Sequence, residues 1–208
     1  MFKFSYKPIR LCLLVSASML LLSEFALAED RSQLFQSFEI EGLSVGLGFT
    51  EAVSKAELRE YRLVNPDSRQ LTKKEADGSG KSLIFEVPFL EDEFPELKIV
   101  WRIAYQKRFP QTLSFDPDTV LTSLKQKYGA PDKDYQDNQG RHTLIYYRDK
   151  SRKAEIRFET IKTWRDQVFN VTMSDVNMKT AGRAAYNEKK SAKTSAQQQV
   201  KPKAAIDY

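Results

Sequence analysis

Residues 116–131, Asp-Pro-Asp-Thr-Val-Leu-Thr-Ser-Leu-Lys-Gln-Lys-Tyr-Gly-Ala-Pro, carry a full set of helix signals. Asp116 suits the N-cap, Pro117 the first helical position, and Asp118 complements the positive end of the helix dipole. Val120, Leu121, Leu124 and Tyr128 recur at helical spacing and give the helix one apolar face. Gly129 is placed to end it with positive φ, and Pro131 prevents continuation.

Strand patterns lie on both sides of this helix. Leu97, Ile99, Trp101, Ile103 and Tyr105 alternate with Lys98, Val100, Arg102 and Ala104, the period-two pattern of a strand with one buried face. Leu83, Phe85, Val87 and Phe89 alternate in the same way, and the acidic stretch Glu91-Asp92-Glu93-Phe94-Pro95 joins the two as an antiparallel hairpin. Beyond the helix, residues 143–148, 154–159 and 167–173 read as strands. Asn138-Gln139-Gly140 reads as a turn that opens a short strand near 133–136. The N-terminal part repeats the plan more faintly. A strand-like run at 38–43 precedes a helix from Thr50 to about Tyr61, with Val53, Ala56, Leu58 and Tyr61 as its buried side, and 63–71 leads into the first hairpin.

The expected fold is therefore α+β, an antiparallel sheet with two helices packed on one face. It can be read as a duplicated helix-then-strands unit with halves at 36–110 and 111–176. The run Gly42-Leu43-Ser44-Val45-Gly46-Leu47-Gly48-Phe49-Thr50-Glu51-Ala52 and the helix exit Leu124–Pro131 resemble small bacterial envelope domains, those of the BamE/SmpA-like outer-membrane assembly lipoproteins and of the β-lactamase inhibitory protein. The resemblance implies helices on one face of an antiparallel sheet and a place in the cell envelope. It departs from the lipoproteins in having no lipid-accepting cysteine at the end of its leader.

That leader is residues 1–28. Lys3, Lys7 and Arg10 precede an apolar run from Leu11 to Leu22, and Ala26-Leu27-Ala28 is a small-x-small cleavage signature. Ser16, Ser18, Ser23 and Glu24 interrupt the run, so it falls short of the roughly 20 apolar residues that a membrane span requires. Cleavage removes Cys12, the only cysteine. The expected location is the periplasm.

Charge is uneven along what is left. Residues 29–176 hold 23 basic and 25 acidic side chains, whereas 177–208 hold seven basic and two acidic. A near-neutral body argues against a nucleic-acid partner, which calls for basic residues on a folded face. Composition reads 177–208 as a disordered basic tail, within which 181–193 could form a marginal helix. Such a tail would touch an anionic membrane surface weakly, at about 1 kcal/mol per basic residue close to it.

The residues that carry chemistry are few. His142 is the only histidine, and no Cys/His metal set can be assembled after cleavage. Asp77-Gly78-Ser79-Gly80-Lys81-Ser82 lacks the first glycine of a phosphate loop and any helix after it. Glu91, Asp92, Glu93 and Glu96 could serve acid–base work, but they share one loop, where carboxylates are normally solvated. Aromatic–arginine neighbours are the remaining pattern. Trp101-Arg102, Tyr146-Tyr147-Arg148 and Trp164-Arg165 bring together the residue types that dominate protein-binding hot spots. An open sheet face would be lined by Arg102, Tyr147 and Arg157, with Trp164 as a further contact.

The sequence thus points to an exported, non-enzymatic domain that binds another cell-envelope protein, with no cofactor, metal or catalytic residue expected. The alternatives are a carboxylate-dependent hydrolase of cell-wall glycan and a carrier of a small apolar ligand.

Overall fold

Alternation along the chain becomes eight strands of one antiparallel sheet in the computed structural model, which describes residues 31–64, 69–164 and 167–200. The expected leader and residues 201–208 lie outside the described residues. In chain order the elements are α1 (described over 31–37), α2 (Phe49–Glu57), β1 (Arg62–Leu63), β2 (Gln70–Lys74), β3 (Gly80–Glu86), a short 3-10 turn (Pro95–Leu97) and β4 (Arg102–Phe109). They continue with α3 (Pro117–Tyr128), β5 (Lys133–Gln136), β6 (Arg141–Tyr147), β7 (Ala154–Lys162), β8 (Gln167–Asp175) and α4 (Val176–Val200). The spatial order is β1-β2-β3-β4-β8-β7-β6-β5, so two four-strand meanders, each preceded by a helix, meet where β4 pairs with β8.

Register explains where the core sits. One cross-strand row runs Leu83–Tyr105–Val171–Phe158–Leu144, and the next runs Phe85–Ile103–Met173–Ile156–Tyr146. All ten are buried. Because side chains alternate with period two, a slip of one residue in any strand would put its apolar set into water, so burial of this face holds the register. Ala52 and Ala56 of α2 and Leu121 of α3 belong to the same core. Phe49 meets Phe85 edge-on, and Tyr128 stacks on Phe158 with ring centroids 5.6 Å apart. The end signals of α3 act as expected: the Asp116 carboxylate accepts from the Asp118 N–H, Pro117 opens the helix, and Gly129 leaves it at φ +77°.

Three expectations change. Residues 38–43 form a tight turn closed by the Ile40–Leu43 bridge rather than a strand, with Glu41 and Gly42 both at positive φ. The hairpin strand begins at Arg102, and its alternation breaks just before that point. The Trp101 N–H donates to the Glu86 carbonyl although Arg102 is the residue opposite Glu86, so two residues face one, as in a β-bulge. At the bulge Val100 joins the main core cluster, while Trp101, also buried, lies outside that cluster with Lys179 of α4 over its ring.

The third change is at the C-terminus. Residues 177–200 of the expected tail 177–208 instead belong to helix α4, which continues β8 from Val176. Asp175 caps it, accepting from the Asn177 N–H at 2.9 Å. The helix leans on the β3–β4 connection: Gly182 lies against Pro88, Tyr186 stacks on Phe89 at 4.3 Å, and Lys189 and Lys193 pair with Glu96 and Glu93. From Asn187 onward its described side chains are exposed. The expected pair of helices thus becomes four among the described residues, and α4 packs on a loop instead of on the sheet. No helix among the described residues is long and apolar enough to cross a membrane.

Candidate functional site

The side chains between the core rows emerge on the opposite face of the sheet. Register places Glu86, Arg102, Ser174, Glu155 and Tyr147 in one row across β3, β4, β8, β7 and β6. The neighbouring row is Ile84, Ala104, Thr172, Arg157 and Ile145. Arg102 and Tyr147 therefore share a row, and Arg157 stands in the next. Trp164 does not join them: it sits on the β7–β8 connection, 78% exposed, where its carbonyl accepts from Gln111 Nε2 at 2.8 Å.

This face is polar and ordered by its own contacts. Arg102 pairs with Glu86, and Arg157 Nη2 lies 2.9 Å from Glu155 Oε1. Gln106 Nε2 donates to Asn170 Oδ1 at 3.2 Å, and Asn170 Nδ2 reaches Glu159 Oε2 at 3.5 Å. The Tyr147 ring has Arg152 and Lys133 above it at 5.5 Å and 5.8 Å. Such contacts hold these arginine and tyrosine side chains in place. Towards β6 the face closes down, with Thr143 and Ile145 buried; towards β3 it opens, with Ile84 at 40% exposure.

Each carboxylate of the acidic loop has a partner of its own. Asp92 pairs with Lys98, Glu93 with Lys193 and Glu96 with Lys189, while Glu91 turns back to accept from the Leu90 N–H. The Lys189 ammonium holds the Glu96 carboxyl below the usual carboxylate range, and backbone N–H groups do the same for Glu91. Charges neutralised one by one in solvent are a fastening for α4. His142 faces the other side of the sheet, with its Nε2 2.6 Å from Asp134 Oδ1. Asp134 is shared with Lys125 of α3, whose hydrogen bond is the largest influence lowering the Asp134 carboxyl.

The sequence reading missed the α4 residues that stand beside this face. Lys179, Gly182, Arg183, Tyr186, Lys189 and Lys193 all touch the body, recurring every three or four residues apart from the adjacent pair Gly182 and Arg183. That helical stripe was visible in the sequence, but its apolar content was too low to register as a buried face.

Compared with protein-family models, with curated proteins and with solved structures, the chain matches none. The likeness to envelope domains therefore rests on the short glycine-turn and helix-exit motifs alone.

Proposed function

We propose that this chain is an exported periplasmic domain that binds another cell-envelope protein, without catalysis or a cofactor, through the sheet face bearing Arg102, Tyr147 and Arg157. In this reading α2 and α3 are the two helices that close the apolar face and leave the other free for the partner. One observation carries the reading: arginine and tyrosine, the residue types of binding hot spots, stand in adjacent rows of one rigid, polar face. The hydrolase alternative loses support because each loop carboxylate is engaged by a lysine or a backbone N–H. The expected tail contact with anionic membrane is a weaker part of the reading, since Lys189 and Lys193 are already paired.

A photo-cross-linking residue placed at Ala104 should capture a discrete partner in the intact envelope. The same residue at Leu58, which is 84% exposed just beyond α2, should not. Arg157→Glu should abolish the Ala104 adduct while leaving the fold intact by circular dichroism. Equal capture from both positions, or an adduct indifferent to Arg157→Glu, would refute the assignment of the face. A mature N-terminus other than Glu29, or retention of the chain in the cytoplasm, would refute the export.

A further inference from the structure

Where α4 leans over β3, a cleft of about 920 Å³ opens between the helix, the β3–β4 connection and the exposed end of the sheet. Its lining is unbalanced in hydrogen-bonding terms. Arg69, Lys179 and Arg183 all reach it. Lys179 lies over the Trp101 ring at 4.5 Å, and Arg183 spends its Nε on the Pro88 carbonyl. Arg183 also acts through its charge on the Glu91 carboxylate, whereas neither Arg69 nor Lys179 pairs with a carboxylate among the described residues. The two acids that reach the cleft are already occupied, Glu86 by Arg102 and Glu91 by the Leu90 N–H.

Two buried polar atoms add to the surplus. Trp101 is 8% exposed and Tyr186 is 6% exposed; both line the cleft, and neither Trp101 Nε1 nor Tyr186 Oη has a hydrogen-bond partner among the described residues. A buried polar group without a partner is costly, so such groups mark places where something else completes the bonding. Indole N–H, guanidinium and ammonium are donors only, and the phenol can donate. The remaining walls are mostly apolar, including Ile84, Phe89 and Leu90, with Gln70 and Asn187 as the other polar side chains.

We propose that this cleft binds a small organic anion, a carboxylate or phosphate group on an apolar body. The anionic head takes up the donors of Arg69 and Lys179, and the body lies against Ile84 and Leu90. Charge-assisted hydrogen bonds supply most of the selectivity. The site does not rest on the partner-binding reading, because it needs no second protein and fails by a separate measurement.

The chain has two tryptophans, so Trp164→Phe leaves Trp101 as the only emitter, inside the cleft. In that background, octanoate, octyl phosphate, octan-1-ol and inorganic phosphate are each titrated while Trp101 emission is followed. At least one of the two amphiphilic anions should shift the emission saturably, and which of them binds more tightly distinguishes a carboxylate from a phosphate ligand. Octan-1-ol and inorganic phosphate should each bind at least tenfold more weakly. The double substitution Arg69→Gln/Lys179→Gln should weaken the anion at least tenfold with the fold intact by circular dichroism. No saturable shift with either anion would overturn the proposal, as would a double variant that binds unchanged. Octan-1-ol binding as tightly as the anions would remove the charged head from the argument, and inorganic phosphate doing so would remove the apolar body; either result overturns it.

Discussion

Arg148→Met should uncouple α4 from the sheet at the point where β8 becomes helix. The Asp175 carboxylate is only 5% exposed and has two partners, Arg148 Nη1 at 2.6 Å and the Asn177 N–H at 2.9 Å. Removing one partner of a fully buried pair costs roughly 3–5 kcal/mol, because the remaining charge stays desolvated. Here Arg148 is 30% exposed and the helix N–H remains, so water and the cap recover part of the loss. The expected destabilisation is therefore about 2–3 kcal/mol. With a urea m-value of about 2 kcal/mol/M, the unfolding midpoint falls by about 1 M. The melting temperature drops by roughly 4–10 °C. Asp175→Asn alone keeps the cap, since asparagine caps as well as aspartate. The double variant Arg148→Met/Asp175→Asn carries no stranded charge and should regain most of the lost stability, with a coupling of about 2 kcal/mol in the cycle. An Arg148→Met protein within about 0.5 kcal/mol of the parent, or a double variant no more stable than the single, would refute the reasoning.

Two further outcomes follow from packing and titration. Gly182→Ala would gain about 1 kcal/mol in an exposed helix, yet a Cβ there would lie 2.5 Å from Cγ of Pro88. The stiff proline ring cannot yield, so a net loss of about 1–2 kcal/mol is expected, and a thermal melt at or above the parent's would contradict the close approach. Above about pH 10 the fold should weaken. Burial pushes the Tyr105 phenol up to about 12 and raises that of Tyr61 further, so both stay neutral in the fold while the unfolded chain ionises. Burial works to lower Lys81, but hydrogen bonds to Glu75 and Glu41 outweigh it and raise the ammonium above its ordinary value. For all three, the folded state binds protons more tightly, so stability is complete below the unfolded values and declines as pH rises through them. Tyrosinate absorbance should show part of the signal appearing only with loss of ellipticity; complete ionisation in a still-folded protein would contradict this.

How much was legible depends on how local each signal is. The caps of α3, the alternation of β6, β7 and β8 and the short β5 are written in neighbouring residues, and the structure follows them. The placing of Arg102, Tyr147 and Arg157 on one face also came from alternation, because each strand's phase is set within a few residues. Trp101 is buried as alternation implies, but outside the main core cluster and under Lys179, since a bulge changes the phase without any glycine to announce it. The α4 stripe was missed for the complementary reason. Its burial depends on apolar surface supplied by Pro88, Phe89 and Phe94, roughly ninety residues away, and so it left little hydrophobic trace of its own.

By itself the sequence determined most of the strands, the helices α2 and α3, and which side of most strands is apolar, because 3.6- and 2-residue periodicities are properties of the local backbone. Only the tertiary structure decided that β4 lies beside β8, joining two meanders into one sheet, and that α4 folds back to wall a cleft lined with donors. Those choices depend on surfaces meeting across the chain, where Gly182 admits Pro88 and Arg148 finds Asp175. Complementarity between distant residues has no period to read.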